Sequence, residues 1–304
     1  MSAPDSRSVI VAVDGRPGSA GALRYAVDAA VRGSESLHLV HVWPGCLPQD
    51  LLPVVSLAEL HAEGRTVLDR SMASARDIAP ELEITTELVV GPRPAGILAT
   101  ARGGRLLVVG RSPHHRVEAP LGGTPAALAA RAECPVVVVP SSWSAGPVLG
   151  RIVVGMKSRT HARELLSHAF DIARELGAGI VVITAWELYD PTMDRHEVRD
   201  HAAAWDAEGM SVLGELLEEW RPRFPTVPVE LRVTDGRAAT VLENASVDAD
   251  LLLVARRLHA VPPYGRLGGT AHTLLRTSRC PVEVVPAGVV ADTPTMPSSG
   301  SRPI

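Results

Sequence analysis

The chain is written twice, and this constrains its fold more than any other feature. Arg105-Leu-Leu-Val-Val-Gly110 has a counterpart in Asp250-Leu-Leu-Leu-Val-Ala255. Leu121-Gly-Gly-Thr124 returns as Leu267-Gly-Gly-Thr270, and Cys134-Pro-Val-Val-Val-Val-Pro140 returns as Cys280-Pro-Val-Glu-Val-Val-Pro286. The last two matches share an offset of 146 residues, and Val9 to Val13 matches Ile152 to Met156 at an offset of 143. Ordered matches at a nearly constant offset mean two homologous units. At 304 residues the chain is also too long for one ordinary core. We read domains at 1–141 and 149–288, a turn-rich linker at 142–148 and a disordered tail at 289–304.

Within each repeat, short apolar runs alternate with segments of helical spacing. Val9 to Val13 reads as a buried strand ended by Asp14-Gly15, and Ser19 to Val31 as a helix. Leu37 to Trp43, Glu83 to Val90, Leu106 to Val109 and Val136 to Val139 read as further strands. Helices are expected near 56–78, 95–102 and 125–132. Alternation of this kind implies a parallel sheet covered on both faces. The predicted fold class is α/β, with two tandem doubly wound domains. Each has a five-stranded parallel sheet of order 3-2-1-4-5 and helices on both faces.

The balance of 30 basic and 34 acidic residues leaves a net charge of −4. That argues against generic binding to nucleic acid or an anionic membrane, which needs a basic surplus. Three cysteines, Cys46, Cys134 and Cys280, form neither a disulfide framework nor a zinc spacing. A reducing cytoplasm fits this usage. Cys134 and Cys280 precede apolar strands and read as core thiols. No apolar run approaches the ~20 residues of a membrane span. His196 and His201 stand five apart, where zinc-binding histidines on one helical face stand four apart. His114-His115 has no local partner ligand. No Walker loop, no Gly-x-Gly-x-x-Gly and no Gly-x-Ser-x-Gly occurs, and no nucleophile–base pair is evident.

Ligands of doubly wound sheets sit beyond the carboxyl ends of the strands. In the first repeat, Asp14-Gly15 follows strand one, Gly110 closes strand four, and Gly122-Gly123-Thr124 opens the next helix. Thr124 suits an N-cap and Pro125 the first helical position. Glycines there let backbone N–H groups and the helix dipole meet a phosphate. The same four residues also make an ordinary helix start. Asp14 is either a turn residue or a contact to ribose or a phosphate-held metal.

The opening Val-Ile-Val-Ala-Val-Asp14-Gly15-Arg-Pro-Gly-Ser19, the strand Leu39-Val-His41-Val42-Trp43 and the Cys134-Pro-Val-Val-Val-Val139 ending resemble the universal stress protein family. So does the spacing from Gly110 through Arg111-Ser112 and Pro113 to Gly123-Thr124. It follows that family's motif of Gly, two residues, Gly, nine residues, Gly and Ser or Thr. The resemblance covers both repeats and implies a tandem two-domain member. It implies an ATP pocket, with or without Mg2+, lined by Asp14, Val42, Gly110, Gly123 and Thr124. Val42 would meet adenine through its backbone, and Gly123 and Thr124 the phosphates. Pro113 departs from the motif's second glycine and removes a backbone donor; Arg111 and Arg116 either compensate with charge or are simply solvated. The second repeat departs further, with Lys157 for Asp14 and Ala255 for Gly110. Arg256, Arg257 and Arg266 add charge there, yet ordinary ATP binding is not expected.

The expected function is a cytoplasmic, non-enzymatic stress-response regulator whose bound nucleotide alters contacts with an unknown protein partner. The alternatives are a nucleotide-independent interaction protein with a degenerate pocket, and a weak ATPase or adenylyl transferase. No nucleic-acid or membrane partner is expected. The fifth strand of each domain lies at a sheet edge and invites pairing. The two copies are expected to pair antiparallel as an internal pseudo-dimer, with a homodimer of the chain as a further option. Glu283 interrupts the second valine run and is expected to face solvent or a basic partner rather than the core.

Overall fold

The computed structural model describes residues 8–43, 57–111, 123–157, 159–187, 195–256 and 267–286. Expectations for Cys46, Pro113, His114, His115, Arg116, Arg257, Arg266 and the tail at 289–304 concern residues outside these. The first half runs β1 (Val9–Ala12), α1 (Pro17–Gly33), β2 (Leu37–Trp43), α2 (Leu57–Ile78), β3 (Ile84–Val90), α3 (Arg93–Thr100), β4 (Leu106–Arg111), α4 (Gly123–Arg131) and β5 (Val136–Pro140). The second runs β6 (Arg151–Gly155), α5 (Ala162–Leu176), β7 (Gly179–Trp186), α6 (Arg195–Leu217), β8 (Val229–Asp235), α7 (Ala238–Ala245), β9 (Leu251–Ala255), α8 (Gly269–Thr277) and β10 (Val282–Val285).

The strands form one ten-stranded sheet in the order β3-β2-β1-β4-β5-β10-β9-β6-β7-β8. Every pairing is parallel except the central one, where β5 meets β10 antiparallel, with Val138 opposite Val282, Val137 opposite Glu283 and Val136 opposite Val284. Val136 to Val139 are each at most 2% exposed. A run buried on both faces must be continuously apolar, as this one is. Full burial of one such side chain contributes roughly 1.5–3 kcal/mol.

On one face a single core crosses the seam, joining Leu128, Ala129, Cys134 and Val138 to Leu274, Leu275, Cys280 and Val282. Burial pushes the Cys134 and Cys280 thiols up to about 11, so both stay protonated and unreactive at neutral pH. On the other face each half has its own core, beneath α1 and α2 or beneath α5 and α6. Tyr25 of α1 packs against both of these cores and sits edge-on to Trp143 at 5.7 Å. Trp143 thereby holds the segment between β5 and β6 against α1. Further along, Asp250 accepts hydrogen bonds from the Leu149 and Arg151 amides and fixes the entry to β6.

Glu283 lies at the middle of the seam and is 1% exposed. Its carboxylate does not reach solvent; Oε1 lies 2.5 Å from His168 Nε2 on α5. Of the two expectations for Glu283, the basic partner is the one realised. By the repeat offsets, His168 stands where Tyr25 stands and Glu283 where Val137 stands. The seam is thus a pseudo-two-fold axis whose two sides carry different chemistry. Burial works against a charge on His168, but the field and hydrogen bond of Glu283 outweigh it and raise its pKa; Arg105 opposes and Asp171 assists. A histidine pKa raised on folding stabilises the protein below the unfolded value of about 6.5, and that contribution is lost as pH rises through the folded pKa.

Two outcomes are expected from thermal melts across pH 5.5 to 9. His168→Gln leaves Glu283 buried without its cation and costs on the order of 3 kcal/mol at pH 6. The double change His168→Tyr with Glu283→Val copies the first repeat's own pair. It retains stability at pH 8 and removes this component of the decline above pH 6.5. A parent and double variant with parallel Tm–pH curves would contradict the assignment.

Candidate functional site

A cleft opens at the carboxyl ends of β1, β2 and β4, where the strand order reverses. Its floor and one wall are apolar, built from Ala12, Val40, Val42, Ile97 and Val109. Its mouth is polar, with Asp14, Arg16, Ser19, Arg93 and Thr124. Three helices begin there, since Gly18 and Ser19 lie in the first turn of α1, Arg93 opens α3, and Thr124 and Pro125 lie in the first turn of α4. Unpaired amides and positive dipole ends converge at one place, which favours an anion.

The β1–α1 turn is built by Asp14-Gly15-Arg16. The Asp14 carboxylate accepts the Arg16 amide at 3.0 Å. Its second oxygen stands 4.0 Å from the Arg16 guanidinium, with both side chains well exposed, so the ion pair itself contributes little. Gly15 has φ +71°, and a Cβ there would stand 2.9 Å from Val67 of α2. Asp14 is therefore a turn residue by its bonding and a cleft residue by its place. Ser19 donates to the Arg16 carbonyl at 2.8 Å and ties the same turn to α1.

Beneath the cleft His41 clamps β2 to the end of β1. Its Nδ1 lies 2.7 Å from the Val13 carbonyl, so Nδ1 carries a proton and donates it there. His41 is 4% exposed, and Nε2 has no donor among the described residues. In the second half Thr184 does the clamping, donating to the Met156 carbonyl.

Of the residues expected from sequence, Asp14, Val42, Gly110 and Thr124 line the cleft. Gly123 adjoins it at the start of α4, with φ +62°, a conformation that favours glycine. Arg111 is not on the wall. Its guanidinium crosses the seam to the carbonyls of Leu275, at 3.2 Å, and Ser278, at 2.9 Å. Arg256 likewise leaves its own loop and donates to the Ala132 carbonyl. Arg111, expected among the nucleotide-binding residues, is turned across the seam instead, and Arg256, expected to add charge to its own loop, is turned the same way. Each guanidinium is drawn to a helix C-terminus, where carbonyls and the dipole favour a cation. Sequence reasoning did not single out Arg16 or Arg93. Arg16 adjoins Asp14-Gly15 and was legible as part of that turn, whereas nothing local marks Arg93.

Among the described residues the second half does not repeat this wall. Lys157 replaces Asp14, Ala162 replaces Ser19, and Ala238 stands at the position of Arg93. Arg159, the counterpart of Arg16, is engaged by Glu215. Gly155 lies beneath Leu242, whose Cδ1 is 2.7 Å from where a Cβ would sit.

Gly110 has a structural reason as well as a place on the wall. A Cβ there would stand 2.5 Å from the Gly18 carbonyl oxygen and 3.3 Å from the Ser19 Cα. Backbone cannot yield as a side chain tip can. Gly110→Ala is expected to cost about 1–3 kcal/mol and to push the first turn of α1 outward. Thermal unfolding checks the cost. An unchanged Tm would mean that α1 shifts freely.

A family model described as the universal stress protein family matches twice, over residues 6–140 and 149–286. Universal stress protein Rv2005c of Mycobacterium tuberculosis is 27% identical over 294 residues, covering 93% of this chain and 99% of the relative. Universal stress protein Rv2623 of the same organism is 26% identical over 294 residues, covering 92% and 96%. A crystal structure of a universal stress protein from Archaeoglobus fulgidus superposes with a TM-score of 0.67 at 16% identity, covering 93% of this chain and 99% of that one. With both halves matched and the doubled fold in place, the chain belongs to the universal stress protein family, as a tandem two-domain member.

Proposed function

We propose that the first domain binds an adenine nucleotide, with ATP as the ligand, and that the protein acts as a cytoplasmic, non-enzymatic stress-response regulator. The observation that carries the reading is the division of the cleft into an apolar slot and a mouth where three helix N-termini meet. A purine suits the slot between Val40, Val42 and Ile97. Its amino group or the ribose hydroxyls suit an acceptor such as Asp14. Phosphates suit the first turn of α4, with Thr124, and the guanidinium groups of Arg16 and Arg93. Asp14 is the one carboxylate among the described lining residues, so Mg2+ would be held chiefly by the phosphates. The family's ATP-pocket pattern at Asp14, Val42, Gly110, Gly123 and Thr124 supports the same reading.

The regulatory step is differential affinity. Nucleotide alters partner binding to the extent that two conformations of the protein hold it unequally. Helix α4 is the natural place for such a difference, since its first turn lines the cleft and its end meets the second domain.

Equilibrium titration with ATP tests the reading. The parent binds one ATP per chain. Gly123→Val removes binding, because valine is strained at φ +62° and its side chain enters the first turn of α4. Gly269→Val retains binding, since a Cβ at Gly269 meets nothing within 4 Å and lies in the other domain. Loss of binding through Gly269→Val alone would place the site in the second domain. No binding by the parent would leave the nucleotide-independent interaction protein.

A further inference from the structure

We infer that Arg256, a residue of the second domain, is a positioning residue for the nucleotide site of the first. The inference rests on the nucleotide reading above and adds to it a control from across the seam. Arg256 follows β9 directly and is 7% exposed. Its Nη1 donates to the Ala132 carbonyl at 2.5 Å, just beyond the last residue of α4. The opposite end of α4 carries Thr124 and Pro125 into the cleft. One helix of nine residues therefore has its N-terminus in the site of one domain and its C-terminus in the grip of the other.

The arrangement is reciprocal. Arg111 follows Gly110 as Arg256 follows Ala255. Arg111 donates to the carbonyls of Leu275 and Ser278 at the end of α8. Ser278 precedes Cys280 by two residues, as Ala132 precedes Cys134. The two domains thus exchange arginines across the pseudo-two-fold axis, each gripping the other's last helix. Among the described residues, it is α4 that leads to a cleft with the acid, hydroxyl and guanidinium set given for the site. The same exchange therefore has a structural result in one direction and a site-forming result in the other.

A nine-residue helix is marginal by itself and takes its place from its contacts. Its last carbonyls lack intrahelical partners. A cation at this end and a phosphate at the other act favourably on the same dipole. A helix is stiff over this length of about 13 Å, so a shift at Ala132 is felt at Thr124. Amides that cradle phosphate must stay within hydrogen-bond reach, so a loosened α4 loses affinity before the fold fails.

The test is ATP titration of the full chain with Arg256→Ala, Arg256→Gln and Arg256→Lys. His168→Gln serves as a seam variant remote from α4. Arg256→Ala is expected to weaken ATP binding at least fivefold, and Arg256→Lys to recover part of that loss because an ammonium still donates to Ala132. Arg256→Gln, a shorter neutral donor that keeps the aliphatic stem, carries the test if the alanine variant does not fold, with a loss of at least threefold expected. His168→Gln lowers Tm and keeps ATP affinity within twofold. Unchanged affinity in the Arg256 variants overturns the inference. Equal weakening by His168→Gln also overturns it, since general loosening of the seam would then suffice. If the parent binds no ATP, the nucleotide reading fails separately. Amide chemical shifts of Gly123, Thr124 and Ala126 then decide. A change in Arg256→Ala sustains the coupling across the seam, and unchanged shifts end it.

Discussion

The antiparallel pairing of β5 with β10 is the interaction on which everything else rests. Each strand would otherwise be an apolar edge with a row of unpaired N–H and C=O groups, a template for aggregation. Pairing them closes both edges at once and turns two five-stranded sheets into one of ten. It also lets the core beneath α4 and α8 run unbroken from one domain to the other. Because the pairing is antiparallel, equivalent elements of the two repeats face each other across a pseudo-two-fold axis. The exchange of Arg111 and Arg256 is a consequence of that symmetry.

The axis is not used symmetrically. Tyr25 and Val137 on one side oppose His168 and Glu283 on the other. A buried carboxylate held by one histidine is a weak source of stability. It has a clearer effect on pairing choice. Two second domains joined in this register would set Glu283 against Glu283 in a buried position, at a cost neither carboxylate could relieve. Two first domains would meet through Val137 without penalty. The glutamate thus disfavours one wrong partner, as a polar residue at a coiled-coil seam does. The two arginines favour the right one.

Much of this was legible in the residues. The recurrence of the Cys-Pro ending and the Gly-Gly-Thr start showed the doubling, and short apolar runs placed the five strands of the first repeat to within two residues. Asp14, Val42, Gly110 and Thr124 came together because they end strands or open a helix on one side of the sheet. What could not be read is what depends on partners distant in the chain. Arg111 stands in a nucleotide motif, so local reasoning aimed it at phosphate, whereas its acceptors lie more than 160 residues away. Glu283 could be seen to need a partner, but His168 is 115 residues distant. Gly110 was read for its closeness to a ligand, while its nearest constraint is the Gly18 backbone.

These misplacements share a cause that bears on how tandem proteins divide their labour. A second copy that keeps its fold without repeating the first copy's wall is constrained by its own core and by the seam. The second domain has exchanged Asp14 for Lys157 and the Arg93 position for Ala238, yet it keeps Arg256 where Arg111 stands. Gly269 and Thr270 also stand where Gly123 and Thr124 stand, but Arg256 is the shared residue that reaches into the first domain. A domain arranged this way acts as a fixed scaffold that holds α4 from behind. The energetic reason is plain. A covalently linked partner is always present at high effective concentration, so its contacts can support the site in the first domain without a separate association step.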